Sequence, residues 1–518
     1  MESANDGRTS FGKMVQTWIH PRMITMLFLG FSAGVPILLI FSTLSVWLRE
    51  AGVSRSAVTF FSWAALGYSF KFIWAPIIDR MPLPFLTRKL GRRRGWLIVS
   101  QLLVITAILW MGSTDPSAGS NSLTLMAVAT VLLGFSSATQ DIVIDAYRIE
   151  CVDESYQALL SSMYIAGYRI GMLVAGAGSL VLASYFGTTS DNYSYTAWLY
   201  TYLAMAICML IGVVTTLVIP EPVHQRTISR EYTTREYARF LSVFLTGASL
   251  FGLTFFFSAP VFAHIKEMAV RVVSLNDNLI GFCIQVSRFF ISVGVSAAGV
   301  RLITLTGFVD RKMVAETYVA PVIDFFDRYK VKTALLLLLL VGFYRLSDVV
   351  LGVVANVFYV DLGFDKNTIA GITKTFGLFM TLAGGFLGGI LTLRYGVYTI
   401  LFVGALLSAA TNILFMLLAQ AGPDTFFLTL VIAADNLSAG LANTAFVAFL
   451  SSLTNISFTA VQYAIFSSLM TLFPKLIGGY SGTVVTSLGY ESFFLLTAVM
   501  GIPVLFIVWK AKKMTAKK

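Results

Sequence analysis

The chain of 518 residues is 57% hydrophobic and only 12% charged, and its mean hydropathy is +0.79. A soluble domain carries about a quarter of its residues as charges, so this composition excludes an ordinary soluble protein. The formal net charge of +11 is attributed to orientation in a membrane rather than to nucleic-acid binding, because Lys and Arg concentrate on the cytoplasmic side of membrane proteins.

The first residues, 1–22, are predicted to form a cytoplasmic N-terminal segment. This stretch begins with the polar sequence MESANDGRTS. It lacks the short apolar region and small-residue cleavage site of a signal peptide. We therefore expect no signal peptide to be removed.

Long uncharged runs then predict an all-α polytopic membrane protein, because each run can cross a hydrocarbon core of about 30 Å. The twelve principal spans are expected at 23–48, 57–78, 95–113, 123–147, 157–184, 196–219, 333–360, 368–392, 398–419, 425–450, 458–485 and 491–509.

The middle of the chain contains two further apolar stretches, at about 240–263 and 279–306. The second contains Arg288 and Arg301, so it can span the membrane, lie at its interface or be re-entrant. We favour two crossings and fourteen spans in all, because an even number keeps both chain ends on one side. The expected organisation is a six-helix bundle over 23–220, a linker with the extra helices over 221–332, a second six-helix bundle over 333–510 and a basic tail over 511–518.

Basic residues predict which side each loop faces. Arg and Lys are dense in the loop after the second span and in the C-terminal tail, so both are expected in the cytoplasm. The loops near 113–122, 185–195 and 486–490 contain almost none. Both termini are therefore predicted to be cytoplasmic.

The two bundles are similar to each other in sequence. The segments LREAGVSRSAVTFFS (48–62) and YVDLGFDKNTIAGIT (359–373) each connect the first span of a half to its second. Two six-helix halves joined by a linker resemble the major facilitator superfamily, in which substrate binds near the membrane midplane and the halves rock around it.

The segments APIIDR (75–80) and GRRR (91–94) resemble the two parts of the loop motif of that superfamily, and GGILTLRYG (388–396) is the second-half copy, with Leu393 at the acidic position. A carboxylate at a helix end accepts hydrogen bonds from basic groups and from helix N-termini. Such contacts form only when the halves close on the cytoplasmic side. The predicted gating residues are Asp79, Arg80, Arg92, Arg93 and Arg394.

Charged residues inside the spans predict a polar path, because an intramembrane charge must face a cavity or a partner. Lys71 lies about two turns before Asp79, and Asp141, Asp145 and Arg148 share one helix face. Two neighbouring acids in a poorly hydrated site are suited to taking up and releasing a proton, although Arg148 can simply neutralise Asp145. The predicted proton-coupling residues are Asp141, Asp145 and Asp348.

Further polar and aromatic residues within the spans are candidate ligands of the cargo. Basic groups among them imply an anionic substrate, or ion-pair partners for the buried acids. The predicted substrate-binding residues are Lys71, Gln140, Tyr164, Tyr168, Arg169, Arg345, Lys374, Asp435, Asn436 and Asn443.

The runs FKFIWAPIIDR, SATQDIVIDA, GYRIGM and DNLSAG…TAFVA resemble the AmpG muropeptide permeases of Gram-negative bacteria. The resemblance extends over about 20–220 and 320–510. It implies a proton-driven inner-membrane importer of N-acetylglucosaminyl-1,6-anhydro-N-acetylmuramyl peptides, which serves peptidoglycan recycling and is linked to β-lactamase induction and β-lactam resistance. The matching positions are Lys71, Asp79, Gln140, Asp141, Asp145, Tyr168, Arg169, Asp348 and Lys374.

Two departures from the family pattern stand out: Arg345 and Ser347 replace an expected Lys-x-Gly, and the middle section is longer than in compact members.

Other functions remain open from the sequence. A transporter of the same fold can carry a different anion, such as a nucleotide-like acetyl-CoA cargo, or a sugar. A membrane-embedded transferase is disfavoured, because the histidines all lie at or outside span ends and the sequence predicts no large catalytic domain outside the membrane. The cysteines, Cys151, Cys208 and Cys283, are isolated, so no disulfide framework or metal site is expected. A non-transporting receptor is the remaining alternative. We expect a monomer without enzymatic activity, resident cofactor or metal, with protons as the coupling ion.

Overall fold

A computed structural model of the chain describes residues 20–54, 58, 61, 66–153, 156–189, 192–222, 232–272, 277–365, 368–478 and 481–515. These residues form helices and short connections, and thirteen of the helices that they include are long and apolar enough to cross a membrane. The prediction of an all-α polytopic protein is therefore confirmed. Most of 1–22 and the first part of the predicted span 57–78 lie outside the described residues.

The packing of Cα atoms divides the described residues into two compact units, of which one consists of 227–324 and the other of the remainder. Within the larger unit we call residues 20–222 the N half and residues 325–515 the C half. The N half comprises α1 (Pro21–Ile40), α2 (Ser42–Glu50), α3 (Leu66–Phe70), α4 (Ala75–Arg80), α5 (Leu86–Leu90), α6 (Arg92–Gly112), α7 (Ser120–Glu150), α8 (Gln157–Leu173), α9 (Ser179–Tyr185) and α10 (Tyr195–Val218).

Two irregular turns interrupt helices of the N half, and each lies at or near a candidate functional residue. A single 3₁₀ turn, Lys71–Ile73, separates α3 from α4, and a π-helical turn, Val174–Gly178, separates α8 from α9. Such irregular turns are typical of functional regions in helices. The first breaks the helix at Lys71 itself.

The smaller unit is helical and contains α11 (Thr234–Phe257), α12 (Ala259–Val272), α13 (Asp277–Leu305) and α14 (Arg311–Val314). Helices α11 and α13 pack against each other. The predicted stretch 240–263 covers most of α11 and the start of α12, and the stretch 279–306 coincides with α13 to within two residues. A separate helix α12 was not predicted. Arg288 of α13 donates a hydrogen bond of 2.9 Å to the carbonyl of Phe255, near the break between α11 and α12. This apolar stretch tolerates an arginine because the guanidinium satisfies a carbonyl at a helix end.

The C half repeats the alternation of long helices. Helix α15 begins in the smaller unit and has a non-helical residue, Lys330, inside it. The C-half helices are α15 (Ala320–Phe343), α16 (Leu346–Asp361), α17 (Gly377–Tyr395), α18 (Val397–Ala421), α19 (Thr425–Leu453), α20 (Thr459–Gly478) and α21 (Ser481–Thr515). Gly489, with φ of +77°, bends α21 near the predicted boundary between the last two spans.

Close helix packing in both halves depends on glycine. A Cβ atom on Gly167 of α8 would lie 1.9 Å from the carbonyl oxygen of Leu27 in α1, and one on Gly34 of α1 would lie 2.1 Å from that of Tyr168. In the C half, Gly384 of α17 approaches the carbonyl of Leu437 in α19 equally closely. Small residues let backbones meet in this way where no hydrophobic force drives helices together. These contacts determine where α8 and α19 present their polar residues.

The two halves meet at one end of the bundle, which we call the Arg93 end because α6 begins there. Here α8 packs against α17 and α20 packs against α7. A Cβ on Gly389 of α17 would lie 3.1 Å from Ser162 Oγ of α8. The Arg93 end is therefore closed in this conformation.

We predict that Gly167→Ala lowers the free energy of unfolding of the purified protein by about 1–3 kcal/mol, because the added methyl group must separate α1 from α8. The matched change Gly252→Ala, in α11 with nothing within 4 Å of the added Cβ, should be neutral or slightly stabilising, since alanine favours helices by about 1 kcal/mol over glycine. Melting curves in detergent measure both. Equal melting temperatures for the two variants would contradict this role for Gly167.

Candidate functional site

A buried latch of charged residues closes the Arg93 end. The Arg93 guanidinium donates hydrogen bonds to Asp79 Oδ1 at 2.8 Å and to Glu150 Oε2 at 2.9 Å. It also donates to Thr459 Oγ1, at the start of α20, at 3.1 Å, and Thr459 donates to Glu150. The exposed fractions of the Arg93 and Asp79 side chains are each 1%. The latch therefore joins α4, α6 and α7 of the N half to α20 of the C half.

A glutamate just after the end of α10 binds the first turn of α6 and thereby orients Arg93. Glu221 accepts hydrogen bonds from the backbone N–H groups of Arg93 (2.8 Å) and Arg94 (3.0 Å). The Arg94 side chain in turn donates to the carbonyls of Thr216 and Leu217. A carboxylate suits a helix N-terminus, where N–H groups lack intrahelical partners. Gly91, with φ of +89°, leaves room for Glu221, since a Cβ there would lie 2.3 Å from its carboxyl carbon.

Not every predicted gating residue belongs to the latch. Arg92 donates to the backbone carbonyl of Asp79 at 2.6 Å. Arg80 follows Asp79 as the last residue of α4 and is half-buried. Arg394 is exposed and lies over the ring of Tyr395. The sequence analysis did not predict Glu150, Thr459 or Glu221. Of these, only Glu150 had a sequence signal, because it is the acid that ends the charged run DIVIDAYRIE.

Deeper in the N half, Lys71 and Asp145 approach each other from two elements. Lys71 Nζ lies 3.5 Å from Asp145 Oδ2, and an Arg148 guanidinium nitrogen lies 3.5 Å from Asp145 Oδ1. Asp141, one turn earlier on α7, interacts electrostatically with Lys71 and Asp145. The structure thus brings together the acids predicted to share one face of α7 and the lysine predicted to lie deep in the second span.

Arg148 connects this cluster to the C half. Its Nη1 donates to Ser161 and to Ser451 of α19, both at 2.9 Å. Its guanidinium also lies over the ring of Tyr463 of α20, 5.1 Å from the centroid. Arg148 is thus more than the neutralising partner of Asp145, because it also bridges the halves.

Asp141 lies among aromatic residues. The residue is 8% exposed, and its Oδ1 atom is buried with no hydrogen-bond partner among the described residues. Tyr68, Tyr164 and Tyr168 all interact with it electrostatically. Gln140 is fully buried and donates from Nε2 to Ser32 of α1 at 3.2 Å, while its Oε1, like Asp141 Oδ1, is buried without a hydrogen-bond partner among the described residues. Gln140 is therefore part of a helix contact, and its predicted contact with cargo stays a prediction.

Two arginines from different halves are electrostatic neighbours at the seam between the halves. Arg169 lies on α8, and Arg345 precedes α16. They are close enough to repel one another electrostatically. Arg345 donates to Asn443 Oδ1 at 3.2 Å and interacts with Asp348.

Hydrogen-bonded polar residues of the C half lie on four helices, α16 to α19. Asp348 accepts a hydrogen bond from Ser408 of α18, and Asp435 of α19 accepts one from Thr411 at 3.2 Å. Asn436 accepts one from Thr381 at 2.9 Å. Lys374 is exposed and donates to Asn356 Oδ1 at 2.9 Å, which makes it the outlying member of the predicted substrate set.

The geometry combines one closed end with a polar interior shared by both halves. Electrostatic neighbours run from Lys71 and Asp145 through Asp141 and Tyr168 to Arg169 in the N half. They continue from Arg345 to Asp348 and Asp435 in the C half. Metal-binding clusters of three or more His, Cys, Asp or Glu residues are absent from the described ranges.

Comparison with known sequences identifies relatives over almost the whole chain. The sequence model of the Major Facilitator Superfamily matches residues 26–317. A protein named AmpG 4 from Rickettsia conorii is 31% identical, over 94% of this chain and 95% of its own length. The anhydromuropeptide permease of Escherichia coli K12 is 28% identical, over 94% of this chain and 79% of its own.

Solved structures share the fold at low sequence identity. The proton:xylose symporter XylE has a TM-score of 0.58 at 13% identity, with 96% of each chain covered. The E. coli fucose:proton symporter FucP has a TM-score of 0.56 at 12% identity, with 95% of this chain and 99% of its own covered. With the sequence matches, these neighbours confirm the predicted fold class and the predicted resemblance. This chain is a multi-pass membrane protein of the Major Facilitator Superfamily and belongs, within it, to the AmpG family of transporters.

Proposed function

We propose that this protein imports anhydromuropeptides, driven by protons, across the bacterial inner membrane by alternating access. Its relatives include an anhydromuropeptide permease, and its family consists of transporters. We further propose that it acts as a monomer, has no enzymatic activity and needs no cofactor other than the coupling proton.

The observation that carries this proposal is the arginine pair at the seam. Arg169 and Arg345 belong to different halves and repel each other. Bringing two cations together in a poorly hydrated interior is unfavourable unless an anion completes the site. An anionic cargo that binds both arginines therefore draws the halves together around itself. The carboxylates of a muropeptide supply that charge.

The acid cluster of the N half is suited to coupling this step to a proton. Asp141 and Asp145 share Lys71 as a neighbouring cation. Protonation of Asp141 would remove the repulsion between Asp141 and Asp145. Asp145 would then be the one charged carboxylate in the cluster, and Lys71 and Arg148 would both pair with it. Because Arg148 also contacts Ser451 and Tyr463 of the C half, a change of charge at Asp141 reaches the contact between the halves. Asp348, near Arg345, is proposed as a second proton-coupling residue.

The latch is proposed to be the cytoplasmic gate. The Arg93 end carries the basic loop, which the positive-inside rule assigns to the cytoplasm together with both termini. On that assignment the present conformation is closed inward, and import requires the Arg93 latch to break. Each proton that enters with the cargo contributes about 2.3 kcal/mol per 100 mV of membrane potential.

We expect purified protein in liposomes to take up labelled anhydromuropeptide faster when the outside is more acidic. Asp141→Asn should abolish accumulation against a gradient, because it removes a protonatable group, while Asp361→Asn should transport normally. Asp361 is an exposed acid at the end of α16. The measurement is the initial rate and plateau with and without a pH gradient.

The same experiment separates the rival functions. An uptake rate that does not depend on the pH gradient would rule out proton coupling, even if the cargo is correct. Uptake of an acetyl-CoA-like nucleotide in place of muropeptide would reject the cargo. Full accumulation by Asp141→Asn would return that residue to a structural role.

Loss of one latch charge should open the Arg93 end. Breaking a buried ion pair costs about 3–5 kcal/mol, so Glu150→Gln should raise the population of the open form at least about tenfold. Spin labels at Tyr156 and Tyr395, which are 40% and 53% exposed, should then report a longer distance.

Glu50→Gln is the matched control for this prediction. Glu50 accepts hydrogen bonds from Thr188 and Trp198 at the other end of the N half. Its substitution should leave the distance between the labels unchanged. If Glu150→Gln also leaves the distance unchanged, the latch does not hold the gate.

A further inference from the structure

We propose that the cargo binds in one orientation, with its disaccharide against Asp141 and the tyrosines of the N half and its peptide carboxylates between Arg169 and Arg345. This inference rests on the proposed function and goes beyond it by assigning each chemical part of the cargo to its own subsite.

The N-half subsite has the chemistry of a carbohydrate site. As a whole residue Asp141 is more than nine-tenths buried, and its Oδ1 atom is buried and lacks a hydrogen-bond partner within the described residues. A buried acceptor left without a donor is costly, which indicates that a donor arrives during function. Sugar hydroxyl and acetamide N–H groups are such donors.

The surrounding tyrosines suit the same ligand. The rings of Tyr164 and Tyr168 lie on one face of α8 with centroids 6.0 Å apart, and both are half-buried. Tyr68 approaches from the side of α3 and exchanges a hydrogen bond of 2.6 Å with Ser137. Aromatic faces with a few well-placed polar groups are typical of sites for small neutral ligands. Their hydroxyl groups add donors and acceptors that a sugar can use.

The seam subsite has the opposite character. Its cations, Arg169 and Arg345, interact with each other, and Arg345 also interacts with the carboxylate of Asp348. Guanidinium groups bind carboxylates in a bidentate geometry. A neutral sugar gains little there, whereas a peptide with several carboxylates gains much.

Tyr168 and Arg169 connect the two subsites and thereby determine their order. Tyr168 interacts electrostatically both with Asp141 and with Arg169, its neighbour in sequence. The subsites are therefore adjacent, so one extended molecule can occupy both. The reverse orientation would place peptide carboxylates against Asp141 and Asp145, where like charges repel.

Two cargoes and two variants test the orientation in liposomes made with the full chain. One cargo is the disaccharide with its anionic tripeptide, and the other is the same disaccharide with its lactyl carboxyl converted to a neutral amide. Arg345→Gln should lower uptake of the tripeptide cargo at least about tenfold relative to the amide. Tyr164→Phe should lower uptake of both cargoes and change their ratio by less than about twofold.

Controls separate binding from folding. Arg345→Lys keeps the charge and should restore part of the ratio. Arg301→Gln and Tyr200→Phe, at exposed positions outside both subsites, should behave as the unsubstituted protein does. Each variant is first required to elute as a single species from size-exclusion chromatography.

The outcomes are distinct. The orientation would be overturned if Arg345→Gln left the ratio of tripeptide to amide uptake unchanged, or if Tyr164→Phe changed that ratio equally. Uptake by the unsubstituted protein would still support the proposed function. Failure of the unsubstituted protein to take up either cargo would overturn the proposed function, and this inference with it.

Discussion

A charge inside a membrane must meet a partner, a hydrogen bond or water, and this constraint organises the whole molecule. A lone Lys, Arg or Asp at the centre of a span costs at least about 2.5–3.5 kcal/mol. The apolar spans of this chain nonetheless carry Lys71, Asp141, Arg169 and Arg345. They do so because the helices turn these residues away from lipid, toward one another and toward the seam between the halves.

Glycine contacts make that arrangement possible. With Gly34 on α1 and Gly167 on α8 the two backbones touch, and this contact orients the face of α8 that carries Tyr164, Tyr168 and Arg169. A transporter also needs contacts between its halves that can break. Here those contacts include polar ones: Arg93 with Thr459, and Arg148 with Ser451. Polar contacts of this kind can be exchanged for water when a gate opens, whereas the glycine-packed backbones within each half stay together.

The candidate site was predictable where its signal was local. Asp141, Asp145 and Arg148 lie on one helix face by their spacing alone, and Lys71 could be placed by counting turns from Asp79. Contacts between distant segments had no such signal. Glu221 contacts the start of α6 from 127 residues away, and Thr459 reaches Glu150 from the other half. Lys374 shows the opposite case, because its position in a span did not reveal that it is exposed.

Composition and periodicity by themselves determined that the chain is a polytopic helical membrane protein built from two similar halves, since bilayer thickness and the cost of buried charge act on each segment separately. Local motifs likewise identified most of the charged residues involved. Only the tertiary structure decided which of them meet: that Arg93 rather than Arg394 forms the latch, that Gln140 packs against a helix, and that Arg169 of one half is an electrostatic neighbour of Arg345 of the other. Those pairings depend on packing between helices far apart in sequence, and no single segment carries that information.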